Sequence, residues 1–575
     1  MPKGEHHAPG PISPKESIIT LRTVRDEPLP RWWLWALFAG VALLHVLMAR
    51  IAPYPFIFMD ELEYWRYAHQ IQAGRFVFTF AGMAKHYPAY VFPLFLAIVT
   101  APFHAVPTQY QVARVADVLA ITTVIFPTYA LGRELRLAPR AAFTASALTA
   151  LVSGTGFGTD IMAETLFYPL VVLAVLLLLR WHRAPTPGSA VGAGLIIGIA
   201  ALTKPQGLML LPVAAVLWLG GLDRGPRRRT LSLLTLLAAT GAVFLTRVDI
   251  AAHSGYRDPW TVKAFLGYYA LQAPGSTMPP LHLLLPVLGQ YTAILLFAGI
   301  GAPLGALVLA RQRRLPPAFW AVTALITATL LFVFARNTVL FDVLHYRNAI
   351  DEPYVRLEER YLFPALPFWF LALAGTRPPS WRRERGRVLL LIALVLGVAV
   401  AIRFWVLPLA QYLVTFDSPA LTGLWSIVTN HDDGAPVLVA AVTAAWAALA
   451  LVGLMSRHRI LLAIPMTLLL AGWYVGVSQS FIAGQNQAAV PVVAWVARTV
   501  PRGATLAFDE ATVPSYIFTR VEFMTMHPWR MVPASGITAQ VRCRDWVMTS
   551  ATARAPSGVV GDGYALNPPT CSHRP

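Results

Sequence analysis

From residue 32 almost to residue 480, apolar runs of about twenty residues alternate with short polar breaks rich in arginine. The first run, WWLWALFAGVALLHVLMA, directly follows Arg31 and is long enough to cross a bilayer as one helix. Arginine clusters then recur at Arg133/Arg136/Arg140, Arg180/Arg183, Arg224 to Arg229, Arg311/Arg313/Arg314, Arg377 to Arg387 and Arg457/Arg459. Between most neighbouring clusters there is room for two helices and a loop. The pairs read as 141–157 with 162–180, 190–203 with 206–221, 230–250 with 283–310, 317–336 with 360–376, and 388–408 with 434–455. With the first span, its return at 110–131 and a last span at 459–478, the pattern predicts an all-α polytopic membrane protein of about thirteen spans. Arginine clusters mark the cytoplasmic side, which puts the N-terminus inside and the C-terminus outside.

One segment tests this topology. YPAYVFPLFLAIVTAPFHAVP (87–107) is apolar and nearly long enough to cross, but a crossing there would invert every later arginine cluster. It is therefore expected to be a proline-broken juxtamembrane or re-entrant piece of a long first outer loop, 53–108. The other long outer loops are 250–283, 337–359 and 409–433. Three regions follow: a cytoplasmic tail 1–30, a transmembrane domain 31–478, and an extracytoplasmic domain 479–575. In the last, short mixed segments such as TLAFDE and DWVMTS, bounded by Gly and Pro, predict a small α/β appendage.

Composition narrows the function classes. Of 575 residues, 56% are hydrophobic and 13% charged, against about 25% charged in soluble domains, and the mean hydropathy is +0.57. A string of soluble domains or a disordered chain is excluded. The net charge of +18, from 46 Lys and Arg against 28 Asp and Glu, lies in the inter-span clusters, so it reports membrane orientation and not nucleic-acid binding. Cys543 and Cys571 are the only cysteines, and both fall in the appendage. One disulfide in an oxidising compartment is expected, with two free thiols as the alternative.

Carboxylates are scarce in this chain, so each cluster of them is informative. Asp60-Glu61-Leu62-Glu63, in FIFMDELEYWRYAHQI just after the first span, combines three acids with flanking aromatics. Capping of a short helix by Asp60 and Glu63 is compatible with catalysis by Asp60 or Glu61. Asp160 and Glu164, in TGFGTDIMAETLFYPL, share one face of the following helix if that helix begins by Asp160. Capping there by Thr159 or Asp160 is the alternative. Lys85 in MAKHYP, Lys204 in ALTKPQG and Arg360 in ERYLFPALPFW are cations expected on the same side, suited to a phosphate or pyrophosphate; snorkelling to lipid headgroups is the competing reading. The glycines of VSGTGFGTD fit neither a dinucleotide loop nor a P-loop. Asp509-Glu510 reads as a turn after a strand. No cofactor is called for with certainty, and a divalent metal ion held by Asp60, Asp160 or Glu164 stays open.

MDELEYWRYA, MAKHYP, MAETLFYPL, ALTKPQG and ERYLFPALPFW occur in that order after the first span. In this the chain resembles the GT-C superfamily of membrane glycosyltransferases. It is most similar to bacterial lipid-carrier-dependent enzymes akin to protein O-mannosyltransferases and lipid A aminoarabinose transferases. The resemblance covers residues 30–375. It implies transfer of a sugar from a polyprenyl-phosphate donor to a glycan, glycolipid or protein acceptor at the outer face of the bacterial cytoplasmic membrane; a single displacement is expected to invert the anomeric configuration. Asp60 matches the family's first-loop acid and serves as base, while Asp160 or Glu164 matches the second-loop acid. Lys85, Lys204, Arg360 and Tyr361 match positions at the lipid phosphate. Where these relatives often carry a Lys-Pro-Pro turn, this chain has Lys85-His86-Tyr87-Pro88. A flippase of lipid-linked sugars and an oligosaccharide ligase or polymerase are the alternatives. Acids clustered at one interface, without internal repeats, disfavour the transporter.

Overall fold

The structure, a computed structural model, describes residues 29–51, 59–75, 79–80, 83–84, 89–153, 161–253, 279–309, 315–340, 359–407, 435–465 and, with short gaps, 467–468 and 483–569. The first helices are α1 (Trp32–Ile51), α2 (Met59–Gln72), α3 (Val91–Thr100), α4 (Val106–Thr122), α5 (Ile125–Glu134), α6 (Pro139–Ser153), α7 (Glu164–Arg183) and α8 (Pro187–Thr203). After a 3-10 turn, Pro205–Met209, come α9 (Leu210–Leu219), α10 (Pro226–His253), α11 (Leu281–Ala298), α12 (Ala302–Val308) and α13 (Pro317–Thr338). A second 3-10 segment, Glu359–Ala365, leads into α14 (Leu366–Ala374), followed by α15 (Trp381–Ala401), α16 (Ala435–Met455) and α17 (Ala483–Thr499).

Among the described residues, seven helices are long and apolar enough to cross a membrane, and six more apolar helices are shorter. The chain is a multi-pass membrane protein. The predicted return span at 110–131 is built from α4 and α5, which together make one apolar stretch, Val106–Glu134. The span expected at 283–310 divides at Gly299–Gly301 into α11 and α12, Gly301 taking the left-handed conformation (φ 66°) that caps α12. Of the doubtful segment 87–107, the described residues form one ten-residue helix, α3, before α4 begins at Val106; at 1.5 Å per residue α3 rises about 15 Å and cannot cross. It lies against α2, burying Phe92, Leu96 and Ala97.

The arginine-rich end of the bundle is held by local ion pairs. Glu134 at the end of α5 accepts from Arg180 Nε at 3.0 Å and also pairs with Arg183. These arginines close α7, whose first residue is Glu164. Twenty residues of helix separate the two ends by about 30 Å, the hydrocarbon thickness of a bilayer. The site described below therefore lies at the end opposite the arginines.

The end of α8 is fixed by unusually close packing. Gly194 and Gly198, one turn apart, face α10: a Cβ on Gly194 would sit 2.4 Å from the Leu236 carbonyl oxygen, and one on Gly198 would sit 2.7 Å from Val243 Cβ. Small residues let two backbones approach this far where no hydrophobic effect draws helices together. Beyond α8 the chain turns back on itself, the Gly207 N–H donating to the Lys204 carbonyl at 2.9 Å. A Cβ at Gly207 would sit 2.5 Å from the Ala201 nitrogen. Gly194→Leu is expected to force α8 from α10 and lower stability by about 1–3 kcal/mol; thermal unfolding in detergent measures it, and an unchanged transition would refute the close packing.

The C-terminal region carries a five-stranded mixed sheet. Its strands follow two two-residue strands, β1 (Thr79–Phe80) and β2 (Met83–Ala84), which pair antiparallel near α2. They are β3 (Leu506–Asp509), β4 (Trp529–Val532), β5 (Trp546–Ser550), β6 (Val559–Gly561) and β7 (Tyr564–Asn567), in the order β4-β3-β5-β7-β6. The pairs of β3 with β4 and β5 are parallel, and those of β7 with β5 and β6 antiparallel. β3, between β4 and β5, is buried along its whole length, as a strand covered on both faces must be. The predicted α/β appendage is thus present, but it is not free-standing. One apolar cluster joins Leu62, Trp65 and Ala68 of α2 and Phe92 of α3 to Trp495 and Val496 of α17 and Phe508 of β3. Arg66 of α2 also donates to the His527 carbonyl at 3.3 Å. Cys543 is disulfide-bonded, and Cys571 lies outside the described residues.

Candidate active site

Three pieces of chain meet at this end of the bundle. The start of α2 brings Asp60, the start of α7 brings Glu164, and the 3-10 segment after α13 brings Arg360 and Tyr361. Lys204 joins them from the residue just past α8, where Pro205 stops the helix and Lys204 is extended (φ −152°, ψ 130°). Arg360 is the hub. Its Nη2 lies 3.1 Å from Asp60 Oδ2, its Nε lies 3.5 Å from Glu164 Oε1, and Nη2 also donates to the Tyr361 hydroxyl at 2.9 Å. Lys204 Nζ pairs directly with the same Glu164 oxygen. The result is a chain of alternating charge, Asp60–Arg360–Glu164–Lys204, neutral as a set.

Burial divides it sharply. The side chains of Glu164, Arg360 and Lys204 are at most 5% exposed, while that of Asp60 is 46% exposed. Buried ions hold only where geometry is good and remaining donors are occupied. The Tyr361 ring provides part of that, with Lys204 Nζ at 4.3 Å and Arg360 Cζ at 4.7 Å from its centroid. Tyr361 is itself stacked on Phe334 of α13 (4.2 Å, 6°). Tyr168, one turn beyond Glu164 on α7, donates its hydroxyl to the Arg360 carbonyl and pins the 3-10 segment. Beside Glu164, Lys204 and Arg360 is a cavity of about 10 Å³, space for one water and no more. The half-exposed Asp60 leaves an approach to Arg360 from its own side.

The other sequence-predicted residues fall as follows. Glu61 does not sit beside Asp60 in the opening. It is fully buried, accepting from the Tyr110 hydroxyl at 3.0 Å and the Ile161 N–H at 3.2 Å. Glu63 accepts from the Tyr67 hydroxyl one turn along α2. The expectation that Asp160 and Glu164 share a helical face is corrected: α7 begins at Glu164 with Ala163 as its N-cap and no side-chain cap, so four-residue helical spacing does not relate them. Asp160 and Lys85 lie outside the described residues. Asp509 ends β3 and accepts from the Thr512 hydroxyl at 2.8 Å, a turn contact as read from sequence. Sequence reasoning missed Asp117 and Arg114, both fully buried on α4, and Tyr168. Charged residues inside an apolar span were the available signal for the first two; Tyr168 gave none.

Burial and then the nearby Asp60 carboxylate push the Tyr64 phenol well above its ordinary range, so it stays protonated and does not compete as a base. Among the described residues no three His, Cys, Asp or Glu side chains come together. Asp60 and Glu164 each already face Arg360, so this pair alone does not make a divalent-ion site.

Residues 87–249 match the family model described as dolichyl-phosphate-mannose-protein mannosyltransferase. No curated protein sequence matches the chain. Among solved structures, ArnT from Cupriavidus metallidurans in the apo state aligns over 92% of this chain and 97% of its own, with 16% identity and a TM-score of 0.58. The same protein bound to undecaprenyl phosphate aligns over 93% and 98%, at 16% identity and a TM-score of 0.57. An oligosaccharyltransferase from Archaeoglobus fulgidus aligns over 90% and 70%, at 14% identity and a TM-score of 0.50. At these identities the likeness is one of fold, and the fold is the GT-C architecture.

Proposed function

We propose that this protein transfers a glycosyl unit from a polyprenyl-phosphate carrier to an acceptor hydroxyl, at the outer face of the cytoplasmic membrane, with Asp60 as general base. The observation that carries the reading is the neutral charge chain in which one carboxylate alone is open. A half-exposed acid bonded to a buried guanidinium is a site waiting for a second anion. The phosphate of the donor approaches Arg360 from the Asp60 side and takes the place of the Asp60 carboxylate on Nη2. Lys204 and Glu164 remain behind, holding Arg360 in place, and Lys204 adds its positive charge to the field at the phosphate.

Displaced from Arg360, Asp60 is free to accept a proton. An alcohol is a poor nucleophile unless its proton is removed as it attacks. As the acceptor oxygen bonds to the anomeric carbon, its proton passes to Asp60 and the carbon–phosphate oxygen bond breaks. The polyprenyl phosphate leaves with the electron pair, its charge met by Arg360 and Lys204. A single displacement inverts the anomeric configuration. Lys85, Asp160 and Tyr361 belong to this reading as further donors and a second acid, on the resemblance of their motifs. The structural likeness to a protein that binds undecaprenyl phosphate, and the family-model match over 87–249, support a lipid-phosphate donor.

The test is wild-type protein in liposomes with a radiolabelled polyprenyl-phosphate sugar and membrane extract as acceptor source. Label is expected in a product of opposite anomeric configuration, with unlabelled lipid phosphate left over. Label that crosses the bilayer still attached to lipid identifies a flippase and ends the proposal.

A further inference from the structure

Two buried acids that the reaction above does not use hold neighbouring points on one strand of backbone. Glu61 Oε1 accepts the Ile161 N–H at 3.2 Å, and Asp117 Oδ2 accepts the Met162 N–H at 3.2 Å. Both acids are fully buried, one on α2 and the other on α4. Tyr110, two turns before Asp117 on α4, donates its hydroxyl to Glu61 at 3.0 Å and so joins the two acids. Arg114, between them on the same helix, is fully buried with its guanidinium 5.4 Å from the Tyr110 ring centroid. Buried carboxylates are costly to maintain, and spending two on successive main-chain amides is a strong constraint.

What the pair constrains is the reacting end of the molecule. Ile161 directly follows Asp160, and Met162 stands two residues before Glu164. Met162 Sδ lies 3.8 Å from Arg360 Nη1, and the Met162 carbonyl accepts from Thr165 at the first turn of α7. Glu61, for its part, is the chain neighbour of Asp60. We infer that Glu61 and Asp117 form a clamp on residues 161–162 that fixes Asp60 relative to Glu164 and Arg360, making both acids positioning residues for the transfer step. The clamp matters most when substrate is bound. In the resting protein Arg360 holds Asp60 directly; once a phosphate takes that guanidinium, the anchored Glu61 is what keeps its neighbour in place. Glu61 is then not a base but the fastening of one.

This inference rests on the proposed transfer, and its test separates the two. Glu61→Gln keeps the volume and one carbonyl acceptor, Glu61→Ala keeps neither, and Asp117→Asn tests the other half. The expected result is a kcat lowered about 10- to 100-fold per folded molecule in Glu61→Gln and Asp117→Asn, the scale of an ångström misplacement. Glu61→Ala should lose more than Glu61→Gln. The KM for the polyprenyl-phosphate sugar should stay within about twofold, and the acid limb of the kcat–pH profile should stay where it is in wild type. Variants that fold less well but turn over normally per folded molecule would overturn the clamp's role, as would loss of the acid limb in Glu61→Gln. A second readout needs no activity: hydrogen exchange at the 161–162 amides should quicken at least about tenfold in Glu61→Ala and Asp117→Ala. Unchanged exchange defeats the clamp even if transfer is confirmed. A wild-type protein that transfers nothing, with exchange altered as expected, defeats the transfer proposal and leaves the clamp as structure alone.

Discussion

Asp60→Asn is expected to abolish transfer while leaving the protein folded and still able to bind its donor. Asparagine has nearly the same shape, and at 46% exposure the side chain contributes little to packing. Arg360 is buried, but it keeps Glu164 at 3.5 Å and the asparagine amide oxygen can still accept from its Nη2, so thermal unfolding should move little. The chemistry should suffer far more, because an amide cannot take the acceptor's proton: a loss of about 10²–10⁴ in kcat is the scale for a positioned base. Donor affinity should hold or improve, since asparagine no longer competes with the phosphate for Arg360. Single-turnover transfer together with equilibrium binding of the polyprenyl-phosphate sugar separates the two effects. A variant that turns over within a few-fold of wild type would remove Asp60 from the mechanism.

Glu164 should behave in the opposite way. Its carboxylate is the one negative group between Lys204 and Arg360, all three with side chains at most 5% exposed. Glu164→Gln leaves two buried cations facing each other, and breaking a buried pair in this way costs about 3–5 kcal/mol. The single variant is expected to be recovered in low yield with a much lower unfolding temperature. Removing the orphaned charge as well, in Glu164→Gln/Lys204→Met, should restore most of the stability. It should not restore transfer, because the field at the phosphate has lost Lys204 and Arg360 has lost its anchor. If the double variant is as unstable as the single one, the network is not held by charge balance. If it is fully active, neither residue serves the reaction.

The contrast between these two acids shows what the sequence could reveal. Alternation of apolar runs with arginine clusters was enough to place most helices, because a bilayer allows few alternatives for an apolar stretch of that length. It also located the acids by their scarcity. It could not rank them: Asp60 and Glu61 are adjacent in the chain, yet one is open and the other sealed, because neighbours on a helix lie about 100° apart around its axis and only the packed protein says which side faces in. The helix α7 starts at Glu164, two residues into the expected span 162–180 and not by Asp160, for a related reason. Asp160 has the composition of a helix start, but Ile161 and Met162 give their amides to Glu61 and Asp117 instead, bonds reaching 100 and 45 residues along the chain that no local pattern encodes. Lys204, by contrast, was legible, since a lysine before a proline between two apolar runs has few reasons to exist.

The apolar seam between the first-loop helices and the C-terminal sheet bears on how such proteins diversify. Trp65 and Phe92 share one cluster with Trp495 and Phe508, so the helix that carries Asp60 is wedged from the side by a region encoded more than four hundred residues later. The two halves must drift together: a new C-terminal region grafted from a relative brings the wrong knobs for the grooves of α2. Hybrids should therefore be cut so that the first loop travels with the tail, treating the chain's two distant ends as a single inherited module.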